Sequence, residues 1–300
     1  MTADLRTTET VARPAGRPPV PRPRRAFARS ARRGWWRHAV LLPLAALWLI
    51  PLIMVVGLSL LPTSNPSTTW LGLFPEQPTF DNYLQIWSDH PILRHLVNSV
   101  LITGPSVLLT ILCGSLAAFA LARLQVPLKA VVFGTLTLAL ILPMASIVVS
   151  TFKILQSLQL YNNLLGLVLV YTALGIPFAV IIIRTSFLAV PHEMYEAAMI
   201  DGASVFRIYW RIYLPLSRPA LAVVVIWQSM MTWNDFLLPL VSLEDNAIKP
   251  LTLVPLAYRG IFLSQPGALF AVLVLVSVPI VLVFVTVQRS LVNGLSGAIK

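Results

Sequence analysis

Six stretches of the chain are long and apolar enough to cross a bilayer, at about 39–61, 96–121, 130–152, 164–188, 220–243 and 268–289. A spanning helix needs roughly 20 mainly apolar residues. Its backbone must be satisfied internally, because the hydrocarbon core offers no water. Each stretch holds proline, for example Pro51, Pro105, Pro143, Pro177, Pro239 and Pro279, and these predict kinks that neighbouring helices would have to accommodate. The pattern predicts an all-α polytopic membrane protein with six transmembrane helices.

The polar connections differ in character. The longest, about 62–95, holds Pro, Asn and Ser turn signals and then Thr79-Phe80-Asp81-Asn82-Tyr83, with a short helix expected around Tyr83 to Trp87. The connection at 244–267 is also moderately long. Neither is large enough for an independent domain, and the chain shows no internal repeat. The segment 191–219 is too polar to span and carries an ordered run of small, acidic, aromatic and basic residues.

Composition agrees with the pattern. The chain of 300 residues is 57% hydrophobic and 11% charged, with a mean hydropathy of +0.81, where a soluble domain carries about 25% charged residues. The net charge is +11, and ten arginines lie between Arg6 and Arg37. This arm, 1–38, also holds Pro14, Pro18, Pro19, Pro21 and Pro23, so it cannot build a core and is expected to be disordered. Arginine beside a membrane helix fixes orientation or meets anionic lipid, which is preferred here over a nucleic-acid role. No cleaved signal peptide is expected, because the following apolar run is long. With six spans and the N-terminus inside, the inner side holds eighteen of the 22 Lys and Arg residues, and the outer side holds Arg94, Lys153, Lys249 and Arg259. That bias places both termini and the segment 191–219 in the cytoplasm. Cys113, the only cysteine, rules out an intrachain disulfide and reads as a small packing residue.

Within the segment, Pro191 suits the first position of a helix. Glu193 and Glu196 follow where the helix dipole favours negative charge. Met194, Ala197, Ala198 and Asp201 share one face at spacings of three and four. Gly202 is expected to stop the helix. A second helix is expected from Ser204 to Leu214, with Phe206, Trp210 and Tyr213 as an aromatic stripe and Arg207 and Arg211 beside it. Pro215 and Pro219 close the segment.

The order Glu196, Ala197, Ala198, Asp201, Gly202, Ala203, Pro215 and Pro219 resembles the EAA loop of permease subunits from ATP-binding-cassette importers. The resemblance extends over about 40–300 and is closest to the sugar-importer, maltose-permease-like branch. Thr79-Phe80-Asp81-Asn82-Tyr83, Asn98-Ser99, Trp233-Asn234-Asp235-Phe236 and the tail from Val292 to Lys300 are similar to that branch. The arginine-rich arm is longer than the branch leads one to expect. The resemblance implies a six-span permease domain over 39–290, with a coupling helix-turn-helix and a cytoplasmic tail at 291–300. The implied location is the bacterial cytoplasmic membrane. Glu196, Ala197, Ala198, Asp201, Gly202, Ala203 and Pro215 would dock an ATPase. The implied partners are a second permease chain, two ATP-binding cassette subunits and an extracytoplasmic solute-binding protein, with ATP and Mg on the cassettes.

Polar side chains inside membrane helices are costly and often functional. Gln228, Thr232, Trp233, Asn234 and Asp235 could line a sugar pathway with Trp227 nearby, or could bond neighbouring helices instead. Asn98, Ser146, Ser150 and Thr172 are weaker candidates. The chain has no G-x-x-x-x-G-K-[ST] phosphate loop, so ATP would have to bind elsewhere. His192-Glu193-Met194-Tyr195-Glu196 begins like a zinc motif, but Glu196 stands where the second histidine belongs. No cofactor, metal or catalytic residue is expected in this chain. A membrane enzyme acting on lipid-linked sugar would need a reactive polar pair. An ion-driven carrier would need buried coupling carboxylates, of which Asp235 is the single clear instance.

Overall fold

The computed structural model describes residues 35–62, 74–259 and 265–297. Regular structure among them is helical. In chain order the helices are α1 (Trp35–Ser59), α2 (Asp81–Asp89), α3 (Ile92–Arg123), α4 (Lys129–Ala139), α5 (Met144–Ser157), α6 (Leu164–Ala189), α7 (His192–Ile200), α8 (Val205–Leu216), α9 (Arg218–Asn234), α10 (Leu237–Ser242) and α11 (Pro266–Gly297). Two 3-10 segments, Asn246–Ile248 and Leu251–Tyr258, lie between α10 and α11. The chain divides into two units between Pro51 and Leu52, and the packed bundle belongs to the second.

Four helices, α1, α3, α6 and α11, are long and apolar enough to cross a membrane unbroken. The expected third span is two helices, α4 and α5, meeting at 105°. Pro143 is the cause. It lacks an N–H, it disfavours helical geometry at Leu142, and its own backbone is extended (φ −70°, ψ 135°). The expected fifth span, 220–243, also changes. Its helix starts at Arg218 and stops at Asn234, because Asp235 is extended (φ −70°, ψ 133°), and α10 follows as a separate turn. α8 and α9 form a second bent pair, at 76°. Among the described residues there are up to six spans, if each bent pair counts as one. α1 begins at Trp35 rather than 39, and α11 runs on through most of the expected tail to Gly297. The arm 1–34 and residues 298–300 lie outside the described residues, as do 63–73 of the long connection.

Helices in lipid gain nothing from hiding apolar surface from each other, so close backbone approach and hydrogen bonds hold them together. α3 and α6 form the central pair. A Cβ placed on Gly114 of α3 would stand 2.7 Å from the Ala179 Cβ of α6, so only glycine allows this approach. Ser106, Ser115 and Thr172 return their hydroxyls to carbonyls four residues earlier, at 2.5–2.7 Å, so none is left unpaired when buried. At one end, Asn82 of α2 donates to the carbonyls of Ser59 (2.9 Å) and Leu61 (2.8 Å), which satisfies the end of α1. Ile86, Ile92, Leu251, Val254, Ala268 and Val272 pack there. At the other end, Phe119, Ile183, Phe187, Ile208, Tyr209 and Tyr213 form the core under α7 and α8.

Gly114→Val forces α3 and α6 apart at their tightest point. It should cost about 1–3 kcal/mol. The readout is a lower thermal-inactivation midpoint of the detergent-solubilised protein; an unchanged midpoint would show that the two helices are not in this contact.

Candidate functional site

α7 and α8 form a helix-turn-helix closed by Gly202. Pro191 is the cap residue before α7 rather than its first helical residue, since its ψ of 140° is extended. At the other end the Ala203 N–H donates to the Ala198 carbonyl (2.9 Å) and the Gly202 N–H to the Met199 carbonyl (3.1 Å). These are the two bonds of a Schellman turn, which needs a left-handed residue between them. Gly202 supplies it at φ +76°. A Cβ there would meet nothing within 4 Å, so the requirement for glycine comes from the backbone angle and not from crowding. Ser204 then caps α8, its hydroxyl accepting the Arg207 N–H at 3.3 Å.

α8 departs from the expected second helix in one respect. Residues Tyr209–Tyr213 form a π turn, which widens the helix and rotates the residues after it. The expected stripe of Phe206, Trp210 and Tyr213 is therefore split. Tyr209 and Tyr213 are buried, while Phe206 and Trp210 are exposed and stacked on each other with centroids 6.2 Å apart. α7 differs in a similar way. Ala198 packs inward with Tyr195 and Ala203, whereas Met194, Ala197 and Asp201 are exposed. The exposed apolar residues around the turn are Met194, Met199, Ile200, Val205 and Phe206, and Ile200 is 86% exposed. Ile200 carried no signal in the sequence because it points away from the face shared by Met194, Ala197, Ala198 and Asp201.

The buried side of this element is fixed to α3 and α6. Phe119 packs edge-on to Phe187 and Tyr213. Ser115 Oγ and Tyr209 OH are bonded at 2.8 Å. Ser186 donates to Ser217 at 2.9 Å, beside the 76° bend. Arg123, at the last turn of α3, has the widest reach. It donates to the carbonyls of Phe187 (2.8 Å) and Val190 at the end of α6, and lies over the Tyr213 ring at 5.2 Å. It also meets His192 Nδ1 at 3.2 Å. A guanidinium only donates, so Nδ1 accepts and the neutral imidazole carries its proton on Nε2, which faces Glu196 at 3.5 Å. Sequence reasoning counted Arg123 only as an inner-side charge. The signal missed was a single arginine at the end of one span, within reach of the carbonyls that end another.

The second set of candidates is bonded into the bundle. Gln228 is fully buried and donates to the Tyr171 carbonyl (3.0 Å) and Thr232 Oγ1 (3.2 Å). The Gln228 Oε1 presses on Gly175, where any Cβ would collide with it. Trp233 donates to the Val276 carbonyl of α11 at 2.9 Å. Asp235 accepts from Tyr171 OH (2.7 Å) and from the Leu237 N–H (3.0 Å). Trp227 stacks on Phe178 at 4.1 Å. Asn98 donates to the carbonyls of Ala247 and Lys249, and Thr172 bonds within its own helix. Ser146, Ser150 and Cys113 are exposed. Asn234 alone of the fifth-span set is exposed. It lines a cavity of about 460 Å³ with Phe236, Thr252 and Arg259. Among the described residues no group of three His, Cys, Asp or Glu could hold a metal ion.

Residues 110–297 match the family described as binding-protein-dependent transport system inner membrane component. The diacetylchitobiose uptake system permease protein NgcG of Streptomyces coelicolor is 33% identical over 86% of this chain and 86% of its own length. The trehalose transport system permease protein SugB of Mycobacterium tuberculosis is 31% identical over 84% of this chain and 91% of its own. Among solved structures, a chain of a bacterial ABC transporter that imports the acidic polysaccharide alginate shares the fold. Its TM-score is 0.73 at 23% identity, covering 87% of this chain and 97% of that one.

Arg123→Ala removes two charge-assisted bonds from the α6–α7 junction, each worth about 1.5–3 kcal/mol. Limited proteolysis between α6 and α7 should accelerate at least tenfold, since cleavage tracks local opening. An unchanged cleavage rate would show that Arg123 does not hold the junction.

Proposed function

The chain belongs to the family of binding-protein-dependent transport system inner membrane components, and from that premise we propose that it works as one of two permease chains in an ATP-driven sugar importer. The sugar assignment is supported by relatives named for diacetylchitobiose and trehalose uptake, each similar along most of its length. Two ATP-binding cassette subunits supply the hydrolysis, and an extracytoplasmic solute-binding protein delivers the sugar. The charge bias supports a cytoplasmic position for both termini and for α7–α8.

The observation that carries the coupling role is the two-sided character of α7–α8. One side is bonded and packed into α3 and α6. The other presents Met199, Ile200 and Phe206 around a turn of fixed shape. An apolar patch rimmed by Glu193, Glu196, Asp201 and Arg207 suits a partner protein. In this reading Glu196, Ala197, Asp201 and Gly202 meet the ATPase, Ala198 and Ala203 seat the element on the bundle, and Pro215 and Pro219 set the bend into α9. Closure of the cassettes moves α7–α8 and, through Arg123 and Ser186, the helices that bear it.

For the sugar, the bonding pattern favours division of labour. Gln228, Thr232, Trp233 and Asp235 hold the broken fifth span open, and Asn234 with Phe236 and Arg259 faces the cavity this creates. An amide, an aromatic face and a guanidinium over apolar walls suit a carbohydrate.

Gly202→Val must adopt a left-handed backbone that costs an L-residue about 1–2 kcal/mol, and it should deform the turn without unfolding the bundle. Co-expression with the cassettes should give normal membrane levels, loss of cassette co-purification and at least a tenfold drop in labelled-sugar uptake. Normal uptake and co-purification by this variant would overturn the coupling assignment.

A further inference from the structure

At the end of the bundle opposite α7–α8, the start of α3 and the segment 246–257 enclose a cavity of about 570 Å³. Four of its lining residues are His90, Arg94, His95 and Lys249, and no carboxylate among the described residues lines it. Asp89 sits beside Tyr258, whose phenol burial and that carboxylate push up to about 12. Asp245 is engaged by the Ala247 N–H at 2.8 Å. The charged residues in the lining itself are Arg94 and Lys249, both positive.

The polar groups are positioned. His95 is 6% exposed, and its Nδ1 lies 2.8 Å from the Lys249 carbonyl. A carbonyl only accepts, so Nδ1 donates and the neutral ring offers Nε2 as an acceptor. Lys249 Nζ is steadied by Asn246 Oδ1 at 2.6 Å. Arg94 has no hydrogen bond or ion pair among the described residues, and it lines both this cavity and an adjoining hollow that Trp87 borders. Trp87 is 59% exposed. Leu253 and Val254 supply an apolar floor.

We infer that this cavity binds an acidic oligosaccharide, its carboxylate held by Arg94 and Lys249. A ring hydroxyl donates to His95 Nε2. The C–H face of the sugar lies on Leu253 and Val254, and a second sugar unit stacks on Trp87. The volume supports an organic ligand, since a lone inorganic anion would leave most of it empty. Arginine pairs with a planar carboxylate through two parallel bonds, which fits this anion. The inference deepens the importer reading and rests on it for the outward position of the cavity.

The test is equilibrium dialysis of labelled digalacturonate against the full chain in lipid nanodiscs, with cellobiose as the neutral probe. Saturable binding of digalacturonate is expected, with no competition from cellobiose. Arg94→Ala and Lys249→Ala should each weaken it at least tenfold while eluting as the unaltered protein does. No saturable binding, equal competition by cellobiose, or unchanged affinity in the double variant would overturn the inference. It also fails if the variants keep the affinity and instead raise the amount of solute-binding protein needed for uptake, because the cavity is then a protein-docking surface. The dialysis uses no partner subunit, so its failure leaves the permease assignment standing.

Discussion

The carbonyls that end α6 need donors, and Arg123 brings them from α3. A helix that stops inside a bundle leaves acceptors that neither lipid nor a neighbouring apolar side chain can satisfy. One guanidinium answers two of these, at Phe187 and Val190, and then reaches His192 at the start of α7 and the ring of Tyr213 in α8. Because the planar fork is rigid, the positions of the four groups are tied together. The turn at Gly202 and the exposed patch beyond it take their place from this joint. So does the aromatic packing of Phe119, Phe187 and Tyr213 beneath them.

The helix-turn-helix was legible in the sequence because its signals are local. Glycine at φ +76°, serine at a cap and prolines at a bend each act within a few residues. The long apolar stretches were legible for the same reason. What the sequence did not disclose was non-local or geometric. The π turn at Tyr209–Tyr213 changes which aromatics face inward, and no residue type announces it. The carboxylate of Asp235, at the break, is bonded to Tyr171, a residue 64 positions earlier. The 105° corner at Pro143 was visible as a proline but not as an angle, since prolines 105 and 177 leave their helices unbroken.

Polar residues in the fifth span illustrate the same limit. A stripe of Gln228, Thr232 and Asp235 reads equally as a path for solute or as adhesive between helices. The bonds decide the role of each residue separately. Gln228 Nε2 donates to α6, Trp233 donates to α11, and Asp235 accepts from α6 and the start of α10, while Asn234 faces the cavity. The outer connection follows the same economy. His95, Asn98 and Ser99 hold the segment 247–251 by its backbone, so side chains such as Lys249 are free to face the cavity.

The contact of Gln228 with Gly175 has a bearing on how related chains should be compared. The amide fills the space that a Cβ at 175 would occupy, so the two positions form one steric unit split between two helices. A substitution at either is not conservative or radical in itself; its meaning depends on the other. Alanine at 175 requires the Gln228 amide to shift or shorten, and either change draws away the second donor that the Tyr171 carbonyl receives. Thr110 Cγ2 closes the same space at 2.9 Å, so chains that redesign this crossing should vary at 110, 175 and 228 together, in discrete classes rather than a graded series.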